Sequence, residues 1–134
     1  PPYTSSAASD VYKRQDASGA RPQVHGDAHE IQQVMLNLLL NSLDAMDGAG
    51  GAINVSVHAD SGRVHVLVAD DGPGMDEALQ PRVFDPFFTG KSRPDASGLG
   101  MFISYSIVQN HGGAMRIESK PGAGFRVYVD LPAA

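Results

Sequence analysis

The chain has no cysteine, which excludes a disulfide framework and any thiolate metal site, and fits a reducing compartment such as the cytoplasm. It has no surplus of positive charge either. Ten Lys and Arg stand against fifteen Asp and Glu, a formal net charge of -5, so broad electrostatic capture of nucleic acid is excluded and any bound anion must be held locally. Long apolar runs are missing too. The longest, from Val34 to Leu40, is interrupted by Asn37 and followed by Asn41. That falls short of the ~20 residues that span a bilayer, so no direct membrane contact is expected. What remains is an ordinary globular composition, with 42% hydrophobic and 19% charged residues over 134 positions, the size of one domain.

Pro1 to Gln15 shows neither helical nor strand periodicity and reads as a leader, either a cloning or assembly scar or natural disordered sequence. Residues 16–134 are expected to form the folded unit, lacking an edge strand if the scar has replaced native sequence. Asp27 is placed to cap a helix over Ala28 to Met46, with Glu30 completing a capping-box pattern and Ile31, Met35, Leu38, Leu39 and Leu43 at helical spacing. Gly48, Gly50 and Gly51 end it. Ile53, Val55 and Val57 alternate as a strand, and the Asp60-Ser61-Gly62-Arg63 turn leads into Val64, Val66 and Val68. Asp70-Asp71-Gly72-Pro73-Gly74 then breaks the chain into a glycine-rich loop.

From Pro81 to Gly98, three prolines, two glycines and a phenylalanine cluster predict an irregular surface segment of the kind that serves as a lid. A second helix follows, with Leu99, Phe102, Ile103, Ser106 and Ile107 as its apolar stripe and Gly112-Gly113 as its end. Met115 and Ile117, the turn at 121–124, and Phe125, Val127, Val129 and Leu131 predict a closing hairpin. The fold class expected is α+β: a two-layer α/β sandwich with a mixed, mostly antiparallel sheet and helices on one face.

Asn37, Asn41 and Asp44 share one face of the first helix. A buried polar group without a partner costs about 1–3 kcal/mol, so the three need either an internal network or a ligand, and their oxygens suit a hydrated magnesium ion. Asp70 ends a strand where Gly72 and Gly74 would let a flat ligand approach, and its carboxylate can accept from an exocyclic amine. Such a segment is also a plain turn. Gly98, Leu99 and Gly100 open a helix whose free amides would attract phosphate, with Lys91 on the preceding loop as a compact positive charge.

Taken in order, these segments resemble the nucleotide-binding domain that histidine kinases share with gyrase, mismatch-repair and Hsp90-type ATPases, the Bergerat fold. QQVMLNLLLNSLDAM (Gln32 to Met46) resembles the N box and VADDGPGM (Val68 to Met75) the first glycine box. RVFDPFFTGK (Arg82 to Lys91) resembles the F box, GLGM (Gly98 to Met101) the second glycine box, and KPGAGFRV (Lys120 to Val127) the final glycine turn. The resemblance implies ATP and magnesium as cofactors, with Asn41 on the metal, Asn37 in support and Asp70 on the adenine amine. It further implies Lys91 and the Gly98 to Gly100 amides on the phosphates, and Phe84, Phe87 and Phe88 as hinge and anchor of the lid. The implied partners are a separate histidine phosphoacceptor and dimerisation domain and, downstream, a response regulator. FFTGK is similar to nitrogen-regulation-type kinases. A cytoplasmic place follows, whether or not the full protein is membrane-anchored.

In the hydrolytic relatives a glutamate stands where this chain has Asn37. An amide cannot act as a general base, which favours transfer to a histidine over hydrolysis. Two positions depart from the pattern: Ala96 and Ser97 precede Gly98 where Gly-Thr is frequent, and Phe125 replaces a threonine near the adenine. They motivate a second reading, a degenerate regulatory module or incomplete fragment without turnover. A slow ATPase is the third. None of His25, His29, His58, His65 and His111 lies in an acceptor motif, and no metal-ligand spacing connects them.

Overall fold

The computed structural model describes residues 11–17 (backbone only), 23–46, 51–86 and 99–134. Helix α1 spans Ala28–Ala45. Asp27 caps it, its Oδ1 accepting from the backbone N–H of His29 at 2.9 Å and of Glu30 at 3.2 Å. The capping box is only half made. The Asp27 N–H donates to His111 Nε2 at 3.2 Å rather than to Glu30, so a distant side chain has taken the place of the local one. Helix α1 buries Val34, Leu38 and Ser42 most deeply, with Ile31, Met35, Leu39 and Leu43 packed around them.

Strand β1, Val11–Ala17, pairs in parallel with β2, Gly51–Asp60, from Val11 opposite Gly51 to Ala17 opposite Val57. The sequence pattern did not anticipate β1. Of the residues read as a leader, 11–15 lie in this edge strand and 1–10 lie outside the described residues. β2 turns into β3, Arg63–Asp70, through Ser61 and Gly62, both at positive φ (53° and 76°). That is the backbone a two-residue hairpin requires, and it matches the predicted turn. β4 (Ala114–Ser119) and β5 (Phe125–Pro132) close the sheet in the order β1-β2-β3-β5-β4. The β2–β3, β3–β5 and β5–β4 pairings are antiparallel. The expected α+β sandwich, mixed and mostly antiparallel, is what forms.

Helix α2, Gly100–Asn110, lies against α1 and over β4 and β5. Between the helices and the sheet sits one core, in which Leu38 and Val34 meet Ile53, Val68, Val108 and the alternating Phe125, Val127, Val129 and Leu131 of β5. The stripe expected on α2 is displaced. Ser104, Ile107 and Val108 are buried, whereas Phe102 and Ile103 are 36% and 39% exposed. The helix is apolar on most of its circumference, so periodicity could not choose its inner face; the polar contact at Ser104 does. The opposite face of the sheet is polar. There His58 stacks on His65 (centroids 4.8 Å apart), His65 Nδ1 meets Asp130 Oδ1 at 2.5 Å, and Arg116 lies over Tyr128.

Candidate functional site

The polar face of α1 divides its labour. Asn37 is fully engaged: its Oδ1 accepts from Gln33 Nε2 at 2.8 Å, and its Nδ2 donates to Gly100 O at 3.3 Å and Ser104 Oγ at 3.2 Å. These bonds bolt α1 to the first turn of α2, the internal network that stood as the alternative to a ligand. Asn41, one turn on, is half-buried and has no hydrogen-bond partner among the described residues. Its carboxamide oxygen is therefore free to ligate. Asp44 is also half-buried and is already engaged. No cluster of three or more His, Asp or Glu side chains able to hold a metal occurs among the described residues. A lone amide oxygen would suit only a metal that takes few protein ligands and keeps most of its waters.

Asp70 ends β3 with its side chain on the core face, 7% exposed. Its Oδ1 accepts from the Gly72 N–H at 2.9 Å. Oδ2 is buried without a hydrogen-bond partner. Desolvation by burial raises the pKa above the usual carboxylate value, and the negative charge of Asp71 adds to this. The Gly72 amide, bonded to Oδ1, works the other way. An orphaned buried acceptor is the socket that a ligand amine would fill.

The loop after Asp70 is held by contacts the sequence did not disclose. Asp71 Oδ1 accepts from the Ala52 N–H at 2.9 Å. Ser119 Oγ accepts from the Met75 N–H at 2.9 Å and donates to Gly124 O at 2.7 Å. Gln80 Nε2 donates to Met75 O at 3.1 Å and Ser119 O at 2.8 Å. Gly74 lies at φ 76°, and an added Cβ would lie 2.0 Å from Lys120 O, so the loop packs closely on the β4–β5 turn there. At Gly72 a Cβ would stand 3.0 Å from Asp70 Oδ1, crowding the carboxylate itself.

Leu99 is the N-cap of α2 and no side chain caps the helix, so its first-turn amides have no intrahelical partner. Asn37 holds Gly100 from the α1 side. Phe84 stacks on Tyr105, with ring centroids 4.8 Å apart, and joins the edge of the core; it is a core aromatic at the root of the expected lid. Phe87, Phe88, Lys91 and Gly98 lie outside the described residues. A recess of about 350 Å³ is lined by Asp70 together with Asn54, Ala69, Asp71, Gly124 and Arg126. Ala69 pairs with Asn54 and Arg126 across the sheet, so the recess opens toward the helix-free face at the end of β3; it reaches Asp70 but not Asn41.

The site pieces that sequence reasoning missed are Ser42, Asp71, Gln80, Ser119 and His111. Only Ser42 left a signal, as a polar residue at a core position of α1. His111 bridges the ends of both helices, with Nε2 accepting from Asp27 N and Nδ1 on Ile107 O at 2.8 Å.

Residues 26–134 match the family described as histidine kinase-, DNA gyrase B-, and HSP90-like ATPase. Sporulation kinase A of Bacillus subtilis (strain 168) is 32% identical over 109 residues, which are 81% of this chain and 18% of that protein. The chain therefore spans under a fifth of that relative's length. A mycobacterial sensor histidine kinase, MprB, superimposes with a TM-score of 0.82 at 28% identity, covering 95% of this chain and 85% of the other. Full-length ShkA in complex with AMPPNP does so with a TM-score of 0.78 at 26% identity, covering 92% of this chain and 26% of ShkA. None of these singles out the nitrogen-regulation subgroup. The half-buried Asn41, the buried Asp70 and the uncapped start of α2 occupy the N-box and glycine-box positions, and the chain belongs to this ATPase family, as a sensor histidine kinase catalytic domain.

Proposed function

We propose that this chain binds Mg-ATP between α1, the glycine loop and the start of α2, and that the γ-phosphate passes to a histidine on a separate dimerisation domain. The observation that carries this is Asp70 Oδ2, a buried acceptor without a partner, where the exocyclic amine of adenine would donate. Gly72 keeps Oδ1 occupied and leaves room beside the carboxylate. Gly74 keeps the loop seated on the β4–β5 turn. Asn41 offers its side-chain oxygen to magnesium, which when bound would neutralise charge on the phosphates.

The backbone amides at Gly98, Leu99 and Gly100 and the ammonium of Lys91 would hold the phosphates, with Phe84 and Phe87 at the root of the lid. Asn37 acts at one remove. Its bonds to Gly100 and Ser104 hold the start of α2 against α1, and as an amide it offers no base to activate water. A neutral imidazole needs no such base, because it is its own nucleophile, so catalysis reduces to positioning and charge neutralisation. The natural consumer of the phosphoryl group is a response regulator. The domain would work on the cytoplasmic side; no helix among the described residues is long and apolar enough to cross a membrane.

Calorimetric titration of Mg-ATP into the chain, beside Asn41→Ala and Asp70→Ala, tests the site. Magnesium-dependent binding weakened by both substitutions is expected, followed by labelling of an added cognate acceptor domain. A folded chain that binds no Mg-ATP would replace the kinase with the non-turnover module, whereas phosphate release independent of any acceptor would mark a slow ATPase.

A further inference from the structure

Ser119 is buried at the end of β4 and has no part in the scheme proposed above. The register sets it in one row with Asp70, since Ser119 pairs with Phe125 and Phe125 with Asp70. All three are buried. A hydroxyl in such a row is costly unless its donor and acceptor capacities are both used. They are: Ser119 Oγ accepts from the Met75 N–H at 2.9 Å and donates to Gly124 O at 2.7 Å. One side chain thus joins the loop that follows Asp70 to the turn that precedes Phe125. Gln80, on the short 3-10 helix Gln80–Arg82, completes the joint, its Nε2 donating to Met75 O at 3.1 Å and to Ser119 O at 2.8 Å. Between the same two segments the Gly122 N–H donates to Pro73 O at 2.6 Å.

We propose, resting on the nucleotide site described above, that Ser119 is a positioning residue for adenine recognition, its hydroxyl seating the glycine loop so that Asp70 presents Oδ2 to the base. Ser119 stands two strands, about 10 Å, from Asp70, with Phe125 between them, so it acts through the loop and not by contact. The geometry gives the carboxylate one hydrogen bond, from the Gly72 N–H to Oδ1 at 2.9 Å. Oδ2 is the atom left over only while that bond holds the group in place. The Gly72 amide is in turn placed by a loop tied at both ends. Asp71 Oδ1 accepts from the Ala52 N–H at the near end, and Ser119 takes the Met75 N–H at the far end. Without the hydroxyl, that amide loses its partner and the far end of the loop is released from the β4–β5 turn. None of these bonds involves Asn41 or α2, so the metal and phosphate end of the site is untouched.

ADP and IDP, which carries a carbonyl in place of the amine, are compared by calorimetry with magnesium on the wild-type chain and on Ser119→Ala, Ser119→Thr, Gln80→Met and Asp70→Asn. ADP affinity should fall about 3- to 10-fold in Ser119→Ala, the worth of one hydrogen bond, while IDP affinity stays within about twofold. Ser119→Thr keeps the hydroxyl and should keep the wild-type preference. Should Ser119→Ala fold poorly, Gln80→Met removes the other side-chain hold on Met75 at similar volume and should lose ADP preference in the same direction. Equal weakening of ADP and IDP in a folded Ser119→Ala overturns the proposal in favour of a purely structural serine. An unchanged ADP preference there, with Asp70→Asn losing it, also overturns the role of Ser119, and both results leave the nucleotide site standing. Failure of the wild-type chain to bind either nucleotide overturns both.

Discussion

Replacing Asp70 with Asn should make the protein more stable and less able to bind adenine nucleotide. The folded-state pKa of Asp70 lies above its ordinary value of 3.8 because burial penalises the charged form. Between those two pH values the folded chain holds more protons than the unfolded chain, so stability falls as the pH rises through the interval, and the whole loss is in place above the folded-state pKa. At neutral pH the ionised group is thus a liability to the fold. Asn keeps an oxygen for the Gly72 N–H, now bonded at 2.9 Å, and removes the buried charge. A buried polar atom without a partner costs about 1–3 kcal/mol. The amide at the Oδ2 position stays unpaired, so only the charged share is recovered, about 1 kcal/mol, or roughly 3 °C in melting temperature for a domain of this size. Urea midpoints at pH 7.5 and pH 4 measure it, and the gain should shrink at the lower pH, where more of the Asp70 carboxyl is protonated. Binding of Mg-ATP at pH 7.5 should fall by about tenfold or more as the acceptor is lost. An Asp70→Asn protein less stable than wild type at pH 7.5, or one that binds Mg-ATP as well, would refute the reasoning.

Other substitutions separate the fold from the site. Asn37→Ala breaks the bonds to Gly100 and the fully buried Ser104 and should cost about 1–3 kcal/mol in denaturant unfolding. Asn41→Ala, with no bond to lose among the described residues, should leave stability within about 0.5 kcal/mol of wild type while removing the magnesium dependence of ATP affinity. Gly74→Ala places a Cβ 2.0 Å from Lys120 O at a φ of 76° and should destabilise by about 1–3 kcal/mol, read from thermal melts. Wild-type affinity for adenine nucleotide should weaken as pH falls through the raised pKa of Asp70, a loss that calorimetry at successively lower pH would detect and that Asn41→Ala should not shift.

The amino-acid sequence by itself determined the local elements and the order of the motifs. Period-two alternation on β5, the Asp27 cap and the Ser61-Gly62 turn each act over a few residues, so their outcomes are written in composition and spacing. The position of Asp70 at a strand end beside a glycine loop was legible for the same reason. Which polar groups are spent and which are left over was decided only when distant segments met. Asn37 and Asn41 are the same residue type on the same helix face, yet Asn37 meets Gly100 and Ser104 and Asn41 does not. Gly74 is fixed by Lys120 and the glycine loop by Gln80 and Ser119, contacts that no periodicity encodes. The buried face of α2 and the parallel edge strand β1 were likewise set by their neighbours. A hydrogen bond or a burial penalty depends on what stands within a few ångströms in space, and only tertiary packing supplies that.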